Sequence, residues 1–259
     1  MKKKLFRALT LLVAFLLLFS GCAKKKAPVM EYNKINDTYT HPKTKVVYHP
    51  APVCYEATSV VKTRVIARLA KNNTENDRLY ALQGTDTSKY LTTPYYGLFY
   101  ADGIKLPALS EMNATRALFA KTQLRDYAFS EITDGEVLAK LVQSYSGEGI
   151  DEDRLIFEDG TVCTLDYTLK FVSKEYSMLN YLVGYRSYSK EVTDWVEIES
   201  ASEIPDLYPG YEVTVVEENG YLYAVYQLGT DFLCDRITGN FYPIGDLLKD
   251  YHEQLSSEG

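Results

Sequence analysis

The sequence predicts an α+β chain, mostly antiparallel β hairpins with one or two helices, placed after a signal peptide and a flexible tether. Three observations carry that expectation. Asp-Gly or Asn-Gly steps stand between apolar runs at Asp102-Gly103, Asp159-Gly160 and Asn219-Gly220. Such steps favour tight hairpin turns because these residues tolerate positive φ. In residues 163–171, Cys163, Leu165, Tyr167, Leu169 and Phe171 alternate with Thr164, Asp166, Thr168 and Lys170, the period of a strand with one buried and one wet face. Val137, Leu138, Leu141 and Val142 recur at helical spacing.

Taken in order, residues 1–21 read as a signal peptide. Residues 22–50 carry Lys, Asn, Thr and Pro and few large aliphatics, the composition of a tether. Residues 51–259 form the β-rich part. Val61, Val65 and Leu69 fit alternate positions of a strand because Val, Thr and Ile dominate there. A polar turn from Lys71 to Asp77 precedes Leu79-Tyr80-Ala81-Leu82. The first hairpin is expected over Gly97 to Leu106, turning at Asp102-Gly103. The second runs from Leu155-Ile156-Phe157 into Thr161 to Phe171, and the third joins Val213–Val216 to Tyr221–Tyr226. A looser hairpin is expected between Phe232–Asp235 and Asn240–Tyr242, turning through Ile237-Thr238-Gly239. The helix starts at Thr133 or Asp134, which can cap it, and stops at Gly147. A second helix is expected around Asp246 to Leu255. Residues 146–153, polar and Gly-containing, are the best candidate for an internal boundary.

Composition excludes several classes. The 259 residues are 46% hydrophobic and 24% charged, which rules out a collagen-like, coiled-coil or wholly disordered chain. A mean hydropathy of -0.22 and one long apolar run exclude a polytopic membrane protein.

That run is the address. Lys2, Lys3, Lys4 and Arg7 precede an uncharged stretch from Ala8 to Phe19, and Ser20-Gly21-Cys22 follow. A basic start, a short apolar centre and small residues before a cut make a secretory signal. Phe19-Ser20-Gly21-Cys22 resembles the lipobox of bacterial lipoproteins. The resemblance implies that the Cys22 thiol receives a diacylglyceryl group, that the chain is cut just before it, and that the protein sits on the extracytoplasmic face of the cell membrane. A transmembrane anchor is the competing reading. The 16 uncharged residues from Ala8 to Ala23 are short for a span, and Lys24, Lys25 and Lys26 would lie on the wrong side of it.

Charge is uneven along the remainder. Residues 22–125 carry 16 basic and 8 acidic side chains, whereas residues 126–259 carry 8 and 27. The acidic total argues against nucleic acid as a partner, since phosphate binding needs a basic face. The expected partners are the membrane, through lipidated Cys22, and an unknown envelope protein or glycan. Of the four cysteines, Cys54, Cys163 and Cys234 remain once Cys22 is acylated. They are expected as buried free thiols, with Cys163 on the buried side of its strand and a Cys163–Cys234 bridge as the alternative.

No site residue for catalysis, cofactor or metal is predicted. His41, His49 and His252 all lie outside residues 50–251, which disfavours a His-based triad or metal site. Asp151-Glu152-Asp153 lacks the later ligands of a calcium loop. Ser59-Val60-Val61-Lys62 and Ser187-Tyr188-Ser189-Lys190 match the SxxK pattern of penicillin-recognising enzymes, but the Lys-Thr-Gly companion is missing at Ile237-Thr238-Gly239. The 23 tyrosines stand out. They suit half-buried strands or a contact surface, with Tyr181 and Tyr185 sharing one strand face and Tyr188 on the other. The expectation is a non-enzymatic binding domain; the alternative is an envelope hydrolase using paired carboxylates.

Overall fold

Short strands with tyrosine or leucine at their inward positions build the first of two antiparallel sheets in the computed structural model, which describes residues 26–71, 74–121 and 128–251. Its strands are β1 (Glu31–Asn33), β2 (Thr38–Thr40), β3 (Val47–Pro50), β5 (Val61–Arg68), β6 (Arg78–Ala81), β7 (Tyr90–Thr92) and β8 (Leu98–Ala101), while β4 (Tyr55–Ala57) departs to the second sheet. The order is β1-β2-β3-β8-β7-β6-β5. The two ends of that order meet. Met30 N–H donates to Arg68 O at 2.8 Å, and Arg68 N–H donates to Pro28 O at 2.9 Å. The segment ahead of β1 therefore meets the end of β5 through one parallel bridge, Val29 with Arg68, and the sheet curls into a small barrel. Met30, Tyr48, Leu79, Leu91 and Phe99 fill the inside.

Residues 31–50 are thus three barrel strands, not the tether read for residues 22–50. Tyr39 and Tyr48 supply the apolar area that aliphatics supply elsewhere, so the aliphatic-poor composition was misleading. The turns between these strands place Asp37 and Lys45 at positive φ, 49° and 61°.

The second sheet is larger. Its strands are β9 (Ala114–Lys121), β10 (Ala128–Ile132), β11 (Leu155–Phe157), β12 (Cys163–Ser173), β13 (Leu179–Ile198), β14 (Glu212–Glu218), β15 (Tyr221–Cys234) and β16 (Phe241–Pro243). The path is β10-β9-β12-β13-β15-β14, with β4 and β11 added along β13 and β16 along β15. The mainly β, α+β expectation holds at this level. The main core fills one face of this sheet. Phe119, Phe171 and Tyr185 cluster there with residues of α1 (Gly135–Tyr145), with Leu82 just after β6 and with Leu98 of β8. Alternate residues of β8 serve both cores: Leu98 joins the main core and Phe99 the barrel interior. A third cluster, around Val192, Phe232 and Phe241, fills the far end.

Helix α1 begins where the sequence placed it. One Asp134 carboxylate oxygen accepts the Glu136 and Val137 amides at 2.8 and 3.2 Å, satisfying two otherwise orphaned donors. Leu138 and Leu141 are its buried residues. Of the expected C-terminal helix, residues 249–251 are helical and residues from 252 lie outside the described ones. Among the described residues, no helix is long and apolar enough to cross a membrane.

Two of the four expected hairpins form. Asn219 and Gly220, at φ 53° and 82°, connect β14 to β15. The Phe232–Tyr242 hairpin forms as β15 with β16. There Asp235 Oδ1 accepts the Ile237 and Thr238 amides and holds the turn. The other two steps turn the chain without making a hairpin. After Asp102-Gly103 no strand follows, and β8 pairs with β3 and β7 instead. After Asp159-Gly160, β12 does not fold back on β11. Both run along the same edge of β13, in the same direction, with the turn as an excursion between them. Ser189 N–H donates to Val162 O at 2.9 Å across that excursion.

The alternation over 163–171 is correct for Leu169 and Phe171, which are fully buried, but fails at Cys163. A register shift between Cys163 and Leu165 turns the thiol to solvent, so Cys163 is exposed. Thr168 and Lys170, expected on a wet face, are 3% and 8% exposed, so this stretch of β12 is covered on both sides. Cys54, Cys163 and Cys234 are all free, and Cys54 alone is fully buried. Ile150 exchanges two 2.8 Å backbone hydrogen bonds with Phe241. Residues 146–153 are therefore tied to the second sheet at Ile150, and the chain leaves the first sheet for the last time earlier, after β8.

Candidate functional site

Cys22, the predicted lipid attachment residue, lies outside the described residues. The two SxxK matches do not assemble a dyad. Ser and Lys three apart share a face on a helix but not on a strand. Ser59 Oγ accepts the Gln83 amide. Ser187 is buried in β13, while Lys190 reaches Asp159 O and the Glu158 carboxylate.

The buried carboxylates are each engaged separately. Asp194, 1% exposed, accepts from Arg154 at 2.6 Å and from the Tyr208 hydroxyl at 2.7 Å. Asp231 accepts from Thr230 Oγ1, and burial raises its pKa above the ordinary aspartate value. Glu56 pairs with Lys170 at 3.0 Å. Among the described residues, no group of three or more His, Cys, Asp or Glu could hold a metal ion.

The Glu56–Lys170 pair is a buried ion pair. Both side chains are almost fully buried, and desolvating two charges can outweigh their attraction. Glu56 Oε1 has no hydrogen-bond partner. The pair crosses β13 diagonally, from β4 to β12, and so ties the segment leaving the barrel to the second sheet. Beside it opens a shallow hollow of about 470 Å³ lined by Thr58, Arg116, Leu118, Val172, Ser173 and Asn180, among others. Leu118 pairs with Lys170 and Asn180 with Glu56 in adjacent strands, so the hollow shares their sheet face.

Tyrosines mostly pack, as half-buried strand residues do. Tyr181 and Tyr185 lie in the main core and Tyr188 packs on the opposite face, in the arrangement expected. Tyr145 donates to Asp235 Oδ2 at 2.9 Å and lies 3.5 Å from the Tyr181 hydroxyl. Asp235 therefore receives α1 on one oxygen and its own turn on the other. Burial raises the pKa values of Tyr145 and Cys54 and pushes Tyr181 up to about 12. All three are held protonated, which suits locking rather than nucleophilic chemistry.

The strongest surface feature is electrostatic, and only its sum was read from the sequence. Between residues 191 and 235 there are 11 Asp and Glu and no Lys or Arg. The fold gathers this segment into the far half of β13, β14 and β15. Eight of the 11 are exposed. Strand β14 ends the sheet path, so its outer side meets no strand among the described residues. Val215 is 38%, Ile204 40% and Tyr221 55% exposed in this same segment. The edge was not predicted, because neighbours in a sheet are fixed by the whole topology and not by the hairpin that supplies the strand.

No protein-family model, curated protein or solved structure matches this chain.

Proposed function

We propose that the protein is a lipid-anchored component of a bacterial cell envelope. In this reading Cys22 holds it to the extracytoplasmic face of the membrane, and the folded part is a non-enzymatic interaction domain that meets an envelope protein or glycan. The observation that carries the reading is the run from the basic start through Ala8–Phe19 to Ser20-Gly21-Cys22. Two acyl chains anchor durably, at about 0.8 kcal/mol per buried methylene.

The fold supports an oriented display. Ala27, whose carbonyl accepts from Arg68 Nε of β5 at 2.9 Å, follows Cys22 by five positions, a reach of at most about 18 Å. The anchor therefore leaves the barrel close to the bilayer. Residues 24–106, which contain the barrel, carry 13 basic and 7 acidic side chains, against 11 and 28 for residues 107–259. Anionic headgroups attract the first set and repel the second, so the barrel faces the membrane and the acidic sheet faces away.

Mass spectrometry of the mature protein tests the anchor. We expect a diacylglyceryl-modified Cys22 at the N-terminus, and Cys22→Ser should leave the chain uncleaved or released from membranes. An unmodified Cys22 in the membrane-associated protein refutes the reading.

A further inference from the structure

The geometry points to the outer edge of β14 as a docking site for an extended, basic segment of a partner protein, which would add to the second sheet as a further strand. The inference rests on the reading of this domain as an interaction module. It does not depend on the anchor, because losing the lipid leaves the edge intact.

Exposed edges are usually blunted with charged side chains, above all Lys, or with Pro, a bulge or short length. Of these devices strand β14 has charge alone, and of one sign. It is seven residues long, contains neither Pro nor Lys, and keeps an unbroken register with β15 from Glu212↔Gln227 to Glu218↔Tyr221. What it carries is Glu212, Glu217 and Glu218. Pairing of two copies would bring these like charges together, which is destabilising across strands. A basic strand meets the opposite condition: its cations would sit against Glu side chains while its backbone completes the ladder. Charge thus excludes self-association and selects the partner.

The two-residue turn fixes which backbone groups are offered. Asn219-Gly220 makes Glu218 and Tyr221 the hydrogen-bonded pair that closes the hairpin. Bonding alternates along an antiparallel pair, so Glu218, Val216, Thr214 and Glu212 bond inward to β15. The amides and carbonyls of Val213, Val215 and Glu217 therefore face outward. Strand addition uses such groups for affinity and side chains for selectivity.

The test uses the full chain in a zwitterionic detergent, with two synthetic probes of eight residues, alternating Lys-Val and alternating Glu-Val. Residue-resolved amide exchange should slow at Val213, Val215 and Glu217 with the Lys-Val probe and not with the Glu-Val probe. Between 0.1 M and 1 M salt the screening length falls from about 10 Å to about 3 Å, and binding should weaken by about tenfold or more. Val215→Pro removes an outward donor at a position where an edge strand tolerates Pro, so it should abolish binding while far-UV circular dichroism stays unchanged. Should that variant not fold, Glu217→Lys with Glu218→Lys decides, since it should transfer preference to the Glu-Val probe. The inference is overturned by no protection, by protection confined to other residues, by equal binding of both probes, or by concentration-dependent protection without a probe, which would mean that a second copy occupies the edge.

Discussion

Met30→Ala and Ile35→Ala together distinguish a barrel from a tether. Both residues lie in the stretch whose composition reads as tether, but Met30 is 4% exposed inside the barrel and Ile35 is 93% exposed on a turn. Burying a methionine side chain stabilises by about 1.5–3 kcal/mol. Truncation also leaves a cavity, so the total loss for Met→Ala falls in the range of about 2–5 kcal/mol. The backbone bond from Met30 to Arg68 survives in the variant, so the loss is one of packing. With a urea dependence of about 2.5 kcal/mol per molar, a loss of about 3 kcal/mol lowers the unfolding midpoint by roughly 1 M. Ile35→Ala should leave the midpoint unchanged, since such surface changes stay within about 0.5 kcal/mol. The assay is a urea titration followed by far-UV circular dichroism. Fluorescence of Trp195 is read in parallel, because it is the only tryptophan and sits on β13, reporting the second sheet. Equal midpoints for wild type and Met30→Ala, or equal losses for both variants, would refute the barrel.

Two further outcomes follow from burial. Cys163 should react with a maleimide at pH 8 at least about tenfold faster than Cys54 or Cys234: burial raises the pKa of all three, Cys234 up to about 12, but only Cys163 is exposed; equal rates by mass spectrometry would show that the bulge at Cys163 does not turn it outward. The Asp231 carboxyl titrates above its unfolded value because it is desolvated, so its contribution to stability is fully present below the unfolded value, near pH 4, and is lost as pH rises through the folded one. Asp231→Asn should therefore gain on wild type between about pH 4 and pH 7, and a pH-independent difference in unfolding midpoint would contradict this.

What could be read from the sequence was local. Asp134 caps α1 and Asn219-Gly220 turns β14 into β15 because the decisive bonds join residues two or three apart. Asp102-Gly103 and Asp159-Gly160 also turn the chain, but a turn does not choose the strand's neighbour. Strand β13 is long enough to accept both β11 and β12 along one edge, and that fact sits dozens of residues away. The barrel was hidden for the same reason: three strands of three or four residues carry little periodicity, and the closure joins Pro28 and Met30 to Arg68. The acidity of the second half was plain, yet the edge that carries part of it emerges only from the order of strands.

The 20 residues of β13 span up to roughly 65 Å at 3.3 Å each, and they run from the strand that leaves the barrel to the strand pair that ends in β14. That makes β13 the mechanical spine between the barrel and the β14 edge. A pull directed along it loads its bonds to β12 and β15 in shear, many at once, and they share the force. A pull across it at β14 loads the bonds to β15 one after another and peels the hairpin from its end. The molecule should therefore resist traction along its length far better than traction from the side, and single-molecule force measurements comparing a pair of handles at the two ends of β13 with a pair that pulls β14 away from β15 would read that anisotropy.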